Sequence, residues 1–194
     1  MVTLLLDSAG TNMSVGLMEN DQLLDEINEE AWQRQSEKMV PAIDDLLKKH
    51  QLNRQDLEKI IVGIGPGSYT GVRIAVTIAK VIAVALKIDI YPVSSLRILA
   101  HYEKPTVCLL NARSNRSYIG VYEQEKTILA DTIMSNEEVK NYLSLHPDYL
   151  VSGKISYLGL KETPQDPLVT MVKLAPSLKA APEALAVNPV YLKD

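Results

Sequence analysis

The chain has 194 residues, 46% hydrophobic and 23% charged, which is enough apolar material for a sizeable core and excludes a disordered tract. Its net charge of −4, from 20 basic and 24 acidic side chains, argues against a protein that grips nucleic acid unaided, because counterion release needs clustered Lys and Arg. With no Phe and one Trp, aromatic chemistry falls to nine Tyr, which excludes a Phe-built RNA-stacking platform.

Val2 to Leu6 is a continuous apolar run ending in Asp7, the pattern of a central strand buried on both faces. Met13 to Met18, the polar turn Glu19-Asn20-Asp21 and Leu23 to Ala31 extend it into a meander of antiparallel neighbours. A helix is expected from about Ser36, where Met39, Ile43, Leu46 and Leu47 fall on one apolar stripe; Pro41 must lie in its first turn or at a bend. Asn53, with Asp56 three residues on, caps a short turn ahead of a strand from Ile60 to Ile64.

Ser68 to Lys87 is too long for an ordinary strand and reads as a helix. Arg73, Thr77, Lys80 and Lys87 share one face, and nearly everything else is apolar, including Ala75, Ala79, Ala83 and Ala85. A helix apolar almost all round needs cover on two sides: a sheet on one, a partner's helix on the other. Its most apolar part, Ile74 to Leu86, is interrupted by Thr77 and Lys80 and falls short of the roughly 20 residues of a membrane span. The N-terminus lacks a basic region and a small-residue cleavage site, so a cytoplasmic protein without a membrane partner is expected.

Ile88 to Val93 makes the next strand, and Ser94-Ser95 opens a further helix through Ala100. The resulting order, β-β-β-α-β-α-β-α, is that of a ribonuclease H-like unit with a mixed five-stranded sheet and right-handed crossovers. Pro105 divides the chain into lobes at 1–104 and 105–194, and the second reads as a shortened copy of the first. Asp7 and Asn111, Gly16 and Gly120, and Glu19 and Glu123 are each 104 positions apart. Ser135 and Glu138 make a capping box before Val139, Tyr142 and Leu143, and Tyr149 to Val151 is a strand ending at Gly153. Pro164, Pro167, Pro176, Pro182 and Pro189 then break the tail into short pieces.

Gly65, Gly67 and Gly71 lie between a buried strand and a helix, a place suited either to cradling an anion or to a tight turn packed beneath a neighbour. No Gly-Lys-Ser/Thr follows, so the loop is not a Walker A loop. Ser68 fits a helix N-cap better than a nucleophile, and no G-x-S-x-G is present. His50, His101 and His146 stand apart from one another, which predicts no metal site and no catalytic residue. Cys108, the lone cysteine, sits in an apolar run and reads as a buried small hydrophobe in a reducing compartment.

Gly63-Ile64-Gly65-Pro66-Gly67-Ser68-Tyr69-Thr70-Gly71-Val72-Arg73, followed by Ala79-Lys80, closely resembles the signature of the TsaB (YeaZ-like) family. Support comes from Asp7-Ser8, from Ser36-Glu37 with Pro41 and Ile43, and from Pro92-Val93-Ser94-Ser95-Leu96. Asn111-Ala112-Arg113 with Tyr118 and the closing Pro189-Val190-Tyr191-Leu192-Lys193 add to it. The likeness spans the chain, tight over 60–97 and loose over 140–185. It implies an actin/Hsp70-like (ASKHA) α/β fold of two ribonuclease H-like lobes. It also implies membership of the bacterial complex that forms N6-threonylcarbamoyladenosine in tRNA, as a non-catalytic scaffold.

In that family a TsaD-like transferase paralogue carries the metal and the active site, a TsaE-like ATPase joins the assembly, and tRNA is reached only through the complex. The free chain is expected to form a homodimer, and ATP enters, if at all, at the level of the complex. The pairing surface implied is Met39, Ile43, Leu46 and Leu47 on the first helix with Arg73, Ala75, Ala79 and Ala83 on the second. Asp7, Ser8, Gly65 and Gly67 are the candidates for a nucleotide contact, and they define the rival reading, an ASKHA ATPase or kinase. The sequence departs from the family pattern at Gln35, Asn111 and Asn115-Arg116, where His, Asp and Gly-Glu are usual.

Overall fold

A computed structural model describes residues 1–31, 33–163 and 165–192; the expected break at Pro164 and the closing Lys193 lie outside the described residues. The strand β1 (Val2–Asp7) is buried along its whole length because both of its faces are covered. Its neighbours are β2 (Asn12–Glu19), which pairs with β3 (Gln22–Glu30), and β4 (Leu57–Gly63), which pairs with β5 (Asp89–Val93). The sheet order is β3-β2-β1-β4-β5, antiparallel on the hairpin side and parallel from β1 through β5. This is the expected ribonuclease H-like sheet.

Alternation along the strands assigns the two faces. Leu4, Leu6, Ile60 and Val62 meet α1 (Gln35–Lys49) and α2 (Tyr69–Leu86) in the larger core. Leu5 and Ile61 point the other way and meet Leu168, Met171 and Leu174 of α4 (Pro167–Leu174). Pro41 sits inside α1 on its exposed side, so the Glu37 carbonyl lacks its usual helical donor. By length and composition α2, with 18 residues and mean hydropathy 1.7, could cross a membrane, which the shorter stretch read from sequence did not reveal. Here its Gly71, Val72, Ala75, Val76, Ala79 and Ala83 face lies against the sheet.

The second sheet, β8-β7-β6-β9, repeats the first without a fifth strand. It comprises β6 (Thr106–Arg113), β7 (Arg116–Glu123), β8 (Lys126–Ser135) and β9 (Leu150–Gly153), with α3 (Asn136–Leu145) packed through Val139. Strands β7 and β8 begin 104 positions after β2 and β3, as the repeat anticipates. The pairing has moved by one residue, however: Gly16 faces Leu5, whereas Gly120 faces Cys108 rather than Leu109. The Ser135–Glu138 capping box is present, with the Ser135 amide donating to the Glu138 carboxylate at 2.7 Å.

Two expectations need correction. The stretch from Ser94 to Ala100 is a single 3-10 turn (Arg97–Leu99) rather than a helix, because Ser95 is drawn into hydrogen bonds with Asp7 and Gly65. The half 105–194 is also not one lobe. After residue 163 the chain returns to the first sheet, where α4 covers the face that α1 and α2 leave open. The Ala181 amide donates to the Ile90 carbonyl (2.8 Å) and the Val190 amide to the Ile64 carbonyl (2.7 Å), holding the tail along β5 and the end of β4.

Glu26 on β3 faces Asp166, which caps α4 by accepting from the Leu168 amide at 2.8 Å. Burial, then the hydrogen bond and charge of Asp166 and the charge of Asp25, raise the Glu26 pKa from 4.5 to about 7. A carboxyl with a raised folded-state pKa stabilises the fold fully below its unfolded value and loses that contribution as pH rises through the folded value. Glu26 therefore weakens the fold between pH 4.5 and about 7. Glu26→Gln should raise the unfolding free energy near pH 8 by about 1 kcal/mol, allowing for partial solvent screening, and the gain should vanish below pH 4.5. Chemical denaturation across this range checks it; parallel pH profiles for the two proteins would contradict it.

Candidate functional site

The turn between β4 and α2 is built by contact with the loop after β1. A Cβ at Gly63 would fall on the Asp7 carboxylate, and one at Gly71 on the Ser8 carbonyl. At Gly67 it would lie 2.5 Å from the Ala9 carbonyl oxygen, and at Gly65, where φ is +96°, 2.8 Å from that of Val190. Hydrogen bonds close the same seam. Ser8 Oγ donates to the Gly71 carbonyl (2.7 Å), and the Ser68 amide donates to the Ala9 carbonyl (2.7 Å). Ser68 Oγ accepts from the Gly71 amide at 3.3 Å, the N-cap anticipated for it.

Asp7 lies at the centre of this seam and is almost fully buried. Its Oδ1 accepts from Ser95 Oγ (2.7 Å) and its Oδ2 from the Ala9 amide (3.1 Å); Ser95 Oγ in turn accepts from the Gly65 amide (3.0 Å). Burial raises the Asp7 pKa to about 6 despite these two bonds. Ser8, Gly65 and Gly67 are thus engaged with their own chain in a packed turn, while Gly67 also lines the interlobe cleft and Asp7 a smaller cavity beside it.

The two strand-end loops face one another across a cleft, as the duplicated lobes imply. Its cavity is about 770 Å³, lined by Thr11, Gln35, Ser68 and Thr70 on one side and Asn111, Arg113, Tyr118 and Lys154 on the other. Asn111, at the position matching Asp7, is exposed and accepts from the Arg113 amide at 2.7 Å. The second wall therefore presents Arg113 and Lys154 instead of a second carboxylate. Among the described residues no group of three or more His, Cys, Asp and Glu side chains could hold a metal. His50 is bonded to Asp25 (2.7 Å), His101 to the Thr163 carbonyl (3.3 Å) and His146 to the Tyr142 carbonyl (2.9 Å).

The residues expected to meet a partner are placed otherwise. Met39, Ile43, Leu46, Leu47, Ala75, Ala79 and Ala83 are all buried in the protomer's own core, between the helix pair and the sheet; of the eight, only Arg73 is exposed. The helical period locates a stripe but does not say which way it faces. The outer face carries Val40 (54% exposed), Tyr69 (58%), Val81 (63%) and Val84 (52%), with Ile74 and Ile78 half-buried. Between α1 and α2 runs a groove of about 440 Å³ lined by Ser36, Val40, Tyr69, Thr70, Arg73, Ile74, Thr77 and Ile78. Arg73 lies over the Tyr69 ring and donates to its hydroxyl (2.6 Å), and Tyr69 stacks on Tyr191 of the tail with centroids 4.9 Å apart. Part of the signal for this face was present: once Ala75, Ala79 and Ala83 are assigned to the sheet, the helical period leaves Val81 and Val84 outside, with Val72 and Val76 on the sheet side.

If the turn is a packed joint, Gly71→Ala should destabilise the fold by about 3 kcal/mol or prevent folding, since the Cβ meets backbone. Gly10→Ala, whose Cβ would meet nothing nearer than 4.0 Å, should change stability by less than about 1 kcal/mol. Denaturation curves for the pair decide it; equal stabilities would contradict the packing account.

Comparison with known proteins agrees with this architecture. The family model described as TsaD, tRNA N6-adenosine threonylcarbamoyltransferase, matches residues 27–159. The tRNA threonylcarbamoyladenosine biosynthesis protein TsaB of Bacillus subtilis is 35% identical over 137 residues, which is 69% of this chain and 60% of that protein's length. The protein of the same name from Haemophilus influenzae is 27% identical over 223 aligned positions, covering 100% of this chain and 94% of that one. YeaZ from Pseudomonas aeruginosa shares the fold, with TM-score 0.83 at 23% identity over 98% of this chain and 99% of that chain. The family match covers well over half of the sequence, so the chain belongs to the TsaD family, as a TsaB- and YeaZ-like member of it.

Proposed function

We propose that the chain is a non-catalytic docking subunit in the formation of N6-threonylcarbamoyladenosine in tRNA, and that it binds and stabilises a TsaD-like transferase paralogue. The observation that carries this is the outward face of the α1–α2 pair, where exposed Val40, Tyr69, Val81 and Val84 flank an apolar groove. Contiguous exposed apolar surface on paired helices fits a helix–helix interface, and Tyr69 and Arg73 are residue types that anchor such contacts. The relatives named for tRNA threonylcarbamoyladenosine biosynthesis support the pathway. The free chain would use the same face for a homodimer, so self-pairing and pairing with the transferase would compete. A TsaE-like ATPase would join the assembled pair, tRNA would be held by the complex, and the setting would be the cytoplasm.

A nucleotide-dependent ATPase or kinase is the second reading, favoured by the size of the cleft and by Arg113 and Lys154 on its wall. Against it, Asp7 is almost fully buried and each of its oxygens already accepts one hydrogen bond, from Ser95 and from Ala9, although it still lines a cavity of about 240 Å³ with Thr11, Lys154 and Glu162. Titration calorimetry with Mg·ATP separates the readings: micromolar binding with turnover by the isolated chain would favour the enzyme.

The docking face gives a sharper test. Val40→Glu with Val81→Glu places charges on exposed positions, so the folded chain should keep its stability within about 1 kcal/mol. A desolvated carboxylate at a packed interface should weaken pairing with a TsaD-like protein at least about 100-fold. Ala79→Glu would instead bury its charge in the protomer's own core and unfold the chain. Undiminished pairing by the folded double variant, measured by light scattering or interferometry, would overturn the assignment of this face.

A further inference from the structure

Two aspartates, one from each sheet, Asp7 buried and Asp131 half-buried, converge on adjacent serines in the segment that joins the lobes. Ser95 Oγ donates to Asp7 at the end of β1 (2.7 Å), and Ser94 Oγ donates to Oδ2 of Asp131 on β8 (2.6 Å). The two sites are built alike. Asp7 lies over Gly63, where a Cβ would fall on its carboxylate, and Asp131 lies over Gly120, where a Cβ would come within 2.6 Å of its Oδ1. Each glycine is the vacancy that lets an aspartate cross its sheet to reach its serine.

The grip is reinforced on the lobe-two side. Tyr122 Oη donates to the other Asp131 oxygen, and Arg97, three residues after Ser94, lies over the Tyr122 ring at 5.4 Å. Arg97 also donates to Thr127 Oγ1 (3.2 Å) and to the Glu125 carbonyl at the β7–β8 turn. On the lobe-one side, the Ser95 amide donates to the Gly65 carbonyl at 2.9 Å. Burial raises the pKa of both aspartates, and the serine bonds oppose that rise.

We infer that Ser94 and Ser95 form a clasp that sets the angle between the two lobes, Ser95 fastening the joining segment to the first sheet through Asp7 and Ser94 fastening the second sheet through Asp131. Ser94 and Asp131 line one cavity with Arg97 and Tyr122, and Ser95 and Asp7 line another that shares Thr11 and Lys154 with the interlobe cleft. Leu96 and Ala100 also pack on Cys108, Leu110 and Tyr122, so releasing Ser94 loosens the angle and lets the cleft mouth widen without separating the lobes. A capping role for Ser94 also exists, since its Oγ accepts from the Leu96 and Arg97 amides at 3.1 and 3.2 Å, but a cap alone would not set the distance between lobes.

Spin labels at Thr11→Cys and Ser114→Cys, on opposite rims, read that distance directly in the full chain; the buried Cys108, its thiol pKa pushed up by burial, stays unlabelled. The parent protein should give one narrow distance distribution. Ser94→Ala should shift it to longer distance and broaden it, and Ser94→Thr, which keeps the hydroxyl, should restore the narrow peak. Asp131→Ala removes the same bond from the other side and should reproduce the broadening, which covers the case in which Ser94→Ala fails to fold. If either Ser94→Ala or Asp131→Ala is folded by circular dichroism and keeps the parental peak, the clasp is wrong.

Discussion

The close approach of the loop after β1 to the turn before α2 is the constraint on which the rest of the structure depends. Backbone meets backbone where Gly71 passes beneath the Ser8 carbonyl, and a carboxylate occupies the space a side chain would need at Gly63. Any residue other than glycine at either point would push α2 off the sheet. With α2 held close, Ala75, Ala79 and Ala83 lie on the sheet together with Val72 and Val76, and Val81 and Val84 are turned outward. The exposed apolar face proposed for docking is the other side of the same helix: with Gly71, Ala75, Ala79 and Ala83 against the sheet, Val81 and Val84 face out.

The same seam buries Asp7, and a buried carboxylate must be hydrogen-bonded or it is destabilising. The protein answers with the Ser95 hydroxyl and the Ala9 amide, and so ties the joining segment to the first sheet. The Asp7 carboxylate is thereby a strut between β1 and the joining segment. The matching position in the second lobe, Asn111, faces solvent, and the cleft between the loops is lined by hydroxyls and two cations. Such a surface can favour an anion, and a smaller adjoining cavity of about 240 Å³, which shares Thr11 and Lys154 with it, is lined by Asp7 and Glu162.

Much of this architecture was legible in the sequence, and the parts that were not share a physical cause. Val2 to Leu6 announces a central strand because burial on both faces leaves only Thr3 as a polar residue, and the 104-residue repeat survives because β6, β7 and β8 begin 104 positions after β1, β2 and β3, the longer β6 being offset by a shorter loop. Ser68 and Ser135 were readable as caps because capping is local. The direction of the α1 and α2 stripes was not readable. Met39, Ile43 and Ala79 have the spacing of a contact face, but the spacing is the same whether the contact is with the chain's own sheet or with another protein. The return of α4 to the first lobe was hidden for a related reason, since its partners Leu5, Met18 and Ile61 are distant in sequence. Ser94 and Ser95 look like a helix start, and only the fold reveals that their hydroxyls reach Asp131 and Asp7, 37 and 88 residues away.

Methyl NMR of the chain titrated with a TsaD-like protein reads directly which surface, if the proposed pairing forms, takes the partner. The signals of Val40, Ile74, Ile78, Val81 and Val84 should shift or broaden on binding, while those of Ala9, Thr11 and Ala112 in the cleft stay in place. Perturbation confined to the cleft methyls, with the outer face of α1 and α2 unchanged, would contradict the proposed docking face.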